Sequence, residues 1–398
     1  MAENRMAILL TINGKDSPGI TAALTSTLAE AGAVILDIEQ VVIHNILTLS
    51  ILIEAHKEEK KSLLKDLLYQ SKELSVDLDF SLVPEKDVIT SRPSTHTCVI
   101  TCLGEFISTK AISTVTSALY DKEMNIEKIG KLAWGKLSCL EILASASSPI
   151  SVKDLAGYFL EISHNTGVDI AVQRESLFRK AKRLVVMDMD STLIQAEVID
   201  ELAALVGAGE RVKNITERAM SGEIDFSESL RKRVSLLNGL SVDALAEVYD
   251  NLPLTQGAES LIKVLKRLGY KTAVISGGFN YFTHKLQERL GLDYAFANQL
   301  EIVDGKLTGR ISGDIVDAAM KAKLLEDIAA REQISLDQVI AIGDGANDLP
   351  MLGKAGLGIA FNAKKSVREA ASYSISQKSL DSILYLLGIN ENELKELG

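Results

Sequence analysis

Apolar and polar positions divide the N-terminal part of the chain into short elements with regular spacing. Strands of alternating pattern and helices with one apolar face are predicted in the order β-α-β-β-α-β, the ferredoxin-like plan. The predicted elements are strand Met6–Thr11, helix Ile20–Ala31, strands Val34–Val42 and Leu47–Glu54, helix Leu63–Gln70 and strand Ser75–Leu82. We expect this first domain to span residues 1–84.

The same order of elements returns further along the chain and predicts a second domain over residues 94–176. Its strands are predicted in HTCVITCLG, in residues 125–131, in LSCLEILAS and in VDIAVQRE, and its helices in TKAISTVTSALYDKE and SVKDLAGYFLEISHNTG. The segment VPEKDVITSRPS between the two domains has the composition of a linker.

A third region, residues 183–398, alternates strands and helices as a parallel, doubly wound sheet does. Leu184–Met187, Thr272–Ile275 and Val339–Ile342 are apolar on both faces, which is typical of central parallel strands. Residues 194–253 have a mostly helical pattern between the first two of these strands. They predict a helical cap at about residues 198–253.

Composition and charge narrow the classes of function. The 398 residues carry a net charge of −11, which disfavours nucleic-acid binding because phosphate backbones need a basic face. The three cysteines form no CxxC pair, so neither a disulfide framework nor a zinc site is predicted. The chain has no apolar run of membrane-spanning length, and its start lacks the pattern of a signal peptide. We expect a cytoplasmic protein without a membrane partner.

Two carboxylates, Asp188 and Asp190, directly follow the apolar strand Leu184–Met187. Ligands of parallel sheets bind beyond the carboxyl ends of the strands, so these residues fall where chemistry is expected. The alternative is a solvated turn, or a capping pair in which Asp190 or Ser191 starts the next helix. The motif alone leaves both interpretations open.

Two further strands end in polar and glycine-rich motifs. Ser276, Gly277 and Gly278 follow one strand, and their hydroxyl and backbone N–H groups suit an anion, although Gly-Gly turns are common. Asp344 and Asp348 follow the other strand, in the motif GDGAND. Asp188 and Asp344 could face one ion across adjacent strands, and a set of oxygen ligands suits Mg²⁺. Lys321 could supply a charge for phosphate, or could be an ordinary solvated helix lysine.

DMDST, SGG, Lys321 and GDGAND, in this order, resemble the four motifs of the haloacid dehalogenase superfamily. Asp at both positions of the first motif favours a phosphatase over a dehalogenase. The resemblance implies that Asp188 is the nucleophile that forms an aspartyl phosphate and that Asp190 is the general acid and base. It implies Mg²⁺ bound by Asp188, the Asp190 main-chain carbonyl and Asp344, with Asp348 supporting these ligands. It also implies phosphoryl contacts from Ser276, Gly277, Lys321 and Asn347.

Glu197, just past the first motif, and Met220, Phe226, Arg233 and the stretch RVSLLNGL of the predicted cap resemble the corresponding residues of the phosphoserine phosphatase family of that superfamily. The resemblance implies that Glu197 binds the substrate amine, that Arg233 binds its carboxylate, and that Met220 and Phe226 close the pocket. It implies hydrolysis of O-phosphoserine, the last step of serine biosynthesis. Spacing alone does not select Arg233 over its neighbours Arg231 and Lys232 on the same helix.

The first domain resembles an ACT domain, a small module that binds amino acids, in the turn Asp16-Ser17-Pro18-Gly19-Ile20. Gly19 allows a ligand to approach the backbone, and the following helix N-terminus attracts a carboxylate. The resemblance implies feedback by L-serine at Asp16 and Gly19, and a homodimer. The second domain reads LGEFIS at this turn and departs from the pattern. Both domains could instead serve packing and dimerisation without a ligand.

Two other functions stay open at this point. One is a phosphatase for another small phosphomonoester, such as phosphothreonine or a sugar phosphate. The other is an amino-acid sensor with a vestigial phosphatase domain, against which the complete set of motifs argues.

Overall fold

The computed structural model describes residues 5–88, 96–135, 137–221, 223–371 and 373–397. The chain divides into two compact units, Met1–Pro93 and Ser94–Gly398. Among the described residues, no helix is both long and apolar enough to cross a bilayer.

The first unit contains the predicted β-α-β-β-α-β order. Its antiparallel sheet has the strand order β2-β3-β1-β4, and one face is covered by α1 and α2. The elements are β1 (Arg5–Lys15), α1 (Ile20–Glu30), β2 (Val34–Ile43), β3 (Ile46–His56), α2 (Lys60–Glu73), β4 (Val76–Val83) and α3 (Glu85–Val88). The short helix α3 lies in the predicted linker, whose residues 89–94 are outside the described part.

The second predicted domain has the same topology, with the sheet order β6-β7-β5-β8. Both faces of this sheet are covered, unlike those of the first. Cys98 and Ile100 pack under the sheet's own helices, whereas Leu103, Cys139 and Ala171 join the hydrophobic core of the following region. The elements are β5 (His96–Gly104), α4 (Thr109–Asp121), β6 (Asn125–Ala133), β7 (Ser138–Ala146), α5 (Val152–Thr166), β8 (Asp169–Arg174) and α6 (Leu177–Lys180).

The third region is a seven-stranded sheet in the order β12-β11-β10-β9-β13-β14-β15, parallel except for β12. It begins with β9 (Leu184–Met187), α7 (Val198–Leu205), α8 (Gly209–Met220), α9 (Phe226–Ser235), α10 (Val242–Asn251), α11 (Ala258–Arg267), β10 (Lys271–Phe279) and α12 (Asn280–Leu290). It continues with β11 (Tyr294–Val303), β12 (Lys306–Ser312), α13 (Ala318–Arg331), β13 (Val339–Gly343), α14 (Leu349–Lys354), β14 (Leu357–Phe361), α15 (Lys365–Ala370), β15 (Tyr373–Ile375) and α16 (Glu391–Leu397). Because β10 and β13 flank β9, the carboxyl ends of all three strands meet at one edge.

A buried carboxylate joins the second ACT-like sheet to the large sheet. Asp169, the first residue of β8, accepts hydrogen bonds from the Ser376 backbone N–H (2.9 Å), the Ser376 hydroxyl (2.6 Å) and the Gln377 amide (2.7 Å). Gln173 donates to the Leu386 carbonyl at 3.1 Å. We call the contacts of Asp169 with Ser376 and Gln377 the Asp169 junction. Together with the shared core, it makes residues 94–397 one compact body.

Candidate active site

The chain leaves the central strand β9 through a turn without regular helix. The Asp188 N–H donates to the Ile342 carbonyl of β13 at 2.9 Å, and Asp190 is extended (φ −65°, ψ 136°). Ser191 is left-handed, with φ 55°. The alternative that Asp190 or Ser191 starts a helix is therefore wrong. Asp190 nevertheless caps a helix, because its Oδ1 accepts from the N–H of Val198, the first residue of α7, at 2.8 Å.

Lys321, in the first turn of α13, links two buried carboxylates. Its Nζ lies 2.9 Å from Asp188 Oδ1 and 2.7 Å from Asp348 Oδ1. Burial alone lowers the pKa of Lys321, but Asp188 and Asp348 outweigh burial and raise it. The interpretation of Lys321 as a solvated helix lysine is wrong, since its side chain is buried.

Asp188, Asp344 and Asp348 each present a carboxylate oxygen within 4.8 Å of the others. Thr192 donates to Asp344 Oδ1 at 3.1 Å, and the Gly345 N–H donates to Asp348 Oδ2 at 3.0 Å. Burial, followed by Asp348, raises the pKa of Asp344 to about 6 and that of Asp188 well above its ordinary value. Three carboxylates face one ammonium, and this excess of negative charge on oxygen donors fits a hard divalent cation.

The Asp190 side chain makes its hydrogen bonds with groups other than the three carboxylates. Its Oδ2 accepts from the Ser276 hydroxyl at 3.1 Å. Burial, and then the charge of Glu197, raises the pKa of Asp190 to about 7. A carboxyl group with such a pKa can hold a proton near neutral pH and exchange it.

The Ser276-Gly277-Gly278 segment lies at the end of β10. Strand β10 was predicted to stop at Ile275, but it bulges after that residue and pairs again, Phe279 with Asn298. Gly278 requires the absence of a side chain, because a Cβ would lie 2.8 Å from Asp190 Oδ2. The Gly278 N–H donates to the Ser276 hydroxyl at 2.8 Å.

Asn298 positions this segment, and the sequence analysis missed it. The buried Asn298 amide donates to the carbonyls of Gly277 (2.8 Å) and Gly278 (3.2 Å). Its Oδ1 accepts from the Val316 N–H, which precedes α13, at 2.8 Å. One side chain thus ties the glycine segment to the loop before Lys321. The signal in the sequence is a buried asparagine within the largely apolar first half of the β11 segment.

The helical cap places Phe226 and Arg233 on α9. The Phe226 ring contacts the glycine segment, since a Cβ on Gly277 would lie 3.2 Å from its Cζ. Arg233 is half-buried, and its Nε is buried without a hydrogen-bond partner among the described residues. Arg231 is exposed, and Lys232 pairs with Glu228 at 2.6 Å. These environments distinguish the three basic residues, which spacing could not do.

Glu197, which was predicted to bind the substrate amine, is close enough to Arg233 to affect its pKa. Burial lowers the pKa of Arg233, while Asp200, Glu197 and Asp190 act in the opposite direction. Glu197 Oε1 accepts from the Ser191 hydroxyl at 2.7 Å. Met220 ends α8, and its side chain lies outside the described part. Asn347 is half-buried on the short turn after Gly345.

The predicted regulatory turn forms a groove in the first unit. The groove has a volume of about 250 Å³, and Asp16, Gly19 and Gln40 are among its lining residues. Gly19 has φ 100° and precedes α1, a backbone conformation that favours glycine. At the corresponding turn of the second domain, Ser108 caps α4 by accepting from the Ala111 N–H at 3.1 Å.

Comparisons with known proteins agree with this architecture. Residues 182–356 match the haloacid dehalogenase-like hydrolases, and residues 6–81 and 94–173 each match an ACT domain. A phosphoserine phosphatase of Streptomyces coelicolor is 44% identical over 98% of this chain and 93% of its own. Phosphoserine phosphatase SerB2 of Mycobacterium tuberculosis is 42% identical over 98% of this chain and 95% of its own.

Solved structures are similar as well. A haloacid dehalogenase family hydrolase from Salmonella enterica is 34% identical with a TM-score of 0.64, over 73% of this chain and 98% of its own. A probable phosphoserine phosphatase from Vibrio cholerae is 32% identical with a TM-score of 0.58, over 79% of this chain and 94% of its own.

The fold and the site define a haloacid dehalogenase-like hydrolase with two N-terminal ACT domains. This confirms the fold class predicted from the sequence. At 42–44% identity over almost the whole chain, the protein belongs to the phosphoserine phosphatase family.

Proposed function

We propose that this enzyme hydrolyses O-phospho-L-serine to L-serine and phosphate with Mg²⁺, through a phosphorylated Asp188, as the last step of serine biosynthesis. The observation that carries the choice of substrate is the buried, unpartnered Nε of Arg233 on the cap helix that also presents Phe226 to Gly277. A buried guanidinium nitrogen without a partner is costly, and a substrate carboxylate would satisfy it.

The first half-reaction transfers the phosphoryl group to the protein. The Asp188 carboxylate attacks phosphorus, and the bond from phosphorus to the serine oxygen breaks. Asp190 gives its proton to the leaving oxygen, which its raised pKa of about 7 allows. Asp188 is buried directly after β9, where little water solvates its carboxylate.

The second half-reaction returns Asp188 to its starting state. Asp190, now ionised, accepts a proton from water as the water attacks phosphorus. The bond between phosphorus and the Asp188 oxygen breaks, phosphate leaves, and Asp190 is protonated again. Its hydrogen bonds to Val198 and Ser276 hold the carboxyl group in place through both steps.

The groups proposed to bind the phosphoryl oxygens carry positive charge or N–H and O–H dipoles. Ser276, the Gly277 N–H and Lys321 are assigned this contact, and Asn347 assists. Asp188, Asp344 and the Asp190 carbonyl are the groups that would hold Mg²⁺, and Asp348 would support them. The bound ion would offset the repulsion between the Asp188 carboxylate and the incoming phosphate.

The experiment measures Mg²⁺-dependent phosphate release from phosphoserine, phosphothreonine and glucose 6-phosphate. We expect a preference for phosphoserine that Arg233→Gln abolishes, with KM raised at least tenfold by the lost charge-assisted hydrogen bonds. Arg231→Gln is the matched control, because Arg231 is exposed on the same helix. Equal effects of the two variants, or preference for the sugar phosphate, would contradict the assignment. No release from any substrate would favour a sensor with a vestigial site.

We further propose that L-serine regulates the enzyme at the Asp16–Gly19 groove of the first unit. The volume of about 250 Å³ accommodates an amino acid, and the N-terminus of α1 suits its carboxylate. Gly19→Ala should shift the response to titrated L-serine. Gly32→Ala is the control, because Gly32 is also left-handed (φ 61°) but lies after α1, outside the groove. Identical responses of wild type and Gly19→Ala would eliminate a role for this turn.

Strand β2 supports the proposal of a homodimer. It pairs only with β3 among the described strands, and its apolar residues, including Ile38 and Val42, are exposed. An unpaired apolar edge is a template for a second copy of the same edge. Val42→Lys should lower the mass measured by light scattering, whereas Leu68→Lys, at an exposed apolar position on α2, should not. An unchanged mass for both variants would refute this interface.

A further inference from the structure

A groove lined by both polar and apolar surface lies beside the catalytic turn, at the carboxyl edge of the large sheet. We call it the Lys378 groove. It has a volume of about 430 Å³, and its lining residues are Ser191, Gln195, Thr255, Gln256, Phe361, Asn362 and Lys378. No residue of the predicted phosphoryl, metal or cap set lines it, so the mechanism above leaves it unused.

The lining groups have the chemistry of an anion site. None of the described lining residues is acidic, although Asp and Glu outnumber Lys and Arg by 54 to 43 in the chain. Lys378 supplies an exposed ammonium, and the amides supply N–H donors. Thr255 is a second, independent observation in favour of a ligand site, because its hydroxyl is buried without a hydrogen-bond partner among the described residues. A buried hydroxyl in this state is one bond short, which a ligand can supply.

Backbone hydrogen bonds hold the walls of the groove. The Thr255 N–H donates to the Leu193 carbonyl at 2.9 Å, and the Gln256 carbonyl accepts from the Leu380 N–H at 2.8 Å. Asn362 is left-handed (φ 47°) and donates to the Gln377 carbonyl at 3.2 Å. The backbone of the groove walls is therefore fixed before a ligand arrives, which lowers the entropic cost of binding.

We propose that the Lys378 groove is a second oxyanion site, which takes a small phosphate or carboxylate apart from the phosphoryl site at Ser276 and Lys321. Ser191 connects the two sites. Its hydroxyl donates to Glu197 Oε1 at 2.7 Å, and an anion in the groove competes for that donor. Since Glu197 is the group assigned to the substrate amine, an effect on phosphoserine turnover rests on the proposed function, whereas anion binding itself does not.

The test is the pattern in which inorganic phosphate inhibits phosphoserine hydrolysis, with the rate measured as formation of serine. The measurement is repeated with p-nitrophenyl phosphate as the substrate. Binding at the active site alone gives competitive inhibition, whereas a second site also lowers the maximal rate. We expect both effects in the wild type, and loss of only the maximal-rate effect in Lys378→Gln and Thr255→Val. Lys323→Gln, an exposed lysine on α13, should behave as wild type. Sodium chloride keeps ionic strength constant, and acetate replaces phosphate in a parallel series.

Each outcome decides the proposal. If phosphate lowers the maximal rate and acetate does not, the groove takes phosphate. If both lower it, the groove takes a carboxylate as well. Purely competitive inhibition in the wild type, or an unchanged maximal-rate effect in both groove variants, overturns the site. If neither substrate is turned over, the proposed function fails, and calorimetric titration with phosphate tests the groove by itself. There Lys378→Gln should weaken one class of sites at least tenfold, and equal isotherms overturn the proposal.

Discussion

Asn298 offers the sharpest test of how the site is held together. Its side chain makes three hydrogen bonds, to the Gly277 and Gly278 carbonyls and from the Val316 N–H. Asn298→Ala removes all three inside the protein. At about 1 kcal/mol net for each bond, the free energy of unfolding should fall by about 3 kcal/mol.

The same substitution should also affect the chemistry. Gly277 and the loop before Lys321 lose their common tether, and a displacement on the order of 1 Å at a reacting group can lower the rate about 100-fold. We therefore expect the kcat of Asn298→Ala to fall by up to about 100-fold. The cap residues that bind the rest of the substrate are untouched by this substitution.

Urea denaturation followed by circular dichroism, and kcat and KM at saturating Mg²⁺, measure the two effects. Asn251→Ala is the control, because Asn251 is exposed and makes one hydrogen bond, to the Glu247 carbonyl at 2.8 Å. Unchanged kcat with reduced stability would mean that Asn298 supports the fold but not the site. Unchanged stability and unchanged kcat would refute the reasoning altogether.

Three further predictions concern other parts of the structure. Asp188→Asn should lower phosphate release by several orders of magnitude if Asp188 is the nucleophile, and retained turnover would contradict the mechanism. Gly278→Ala should reduce kcat at least tenfold, because its Cβ would lie 2.8 Å from Asp190 Oδ2, and steady-state kinetics at the wild-type level would show that the segment yields. Burial raises the pKa of Asp169 in the folded chain above the pKa of about 3.9 that it has in the unfolded chain. The stability that its protonated form contributes is therefore fully present below about pH 3.9, and it is lost as pH rises through the raised pKa. The unfolding free energy of wild type relative to Asp169→Asn should therefore fall with rising pH in that window, measured by urea denaturation at several pH values, and a pH-independent difference would exclude titration of Asp169 as the cause.

Local patterns were sufficient for much of the fold. Leu184–Met187 forms a strand with the predicted bounds because it is apolar on both faces and lies mid-sheet. The end of β10 could not be predicted from the local pattern, because continuation of the strand to Phe279 depends on pairing with Asn298 of β11. Such pairing is a long-range contact that glycine-rich sequence conceals.

In the candidate site, too, some features could be predicted from the local sequence and others depend on long-range contacts. The motifs placed Asp188 and Asp344 at strand ends, where adjacent strands bring them together. The sequence could not distinguish Arg233 from Arg231, because burial depends on how the cap lies over the sheet. Asn298 escaped notice because it contacts backbone carbonyls, and a hydrogen bond to a carbonyl leaves no partner residue type to find.

The Asp169 junction bears on how such a gene can be cut and recombined. A fragment that starts near residue 183 would uncover Leu103's partners in the shared core and leave Ser376 and Gln377 without their carboxylate. A fragment that starts at Ser94 keeps that body whole. Within this chain, the first repeat is therefore a compact unit of its own, whereas the second is packed as part of the catalytic body.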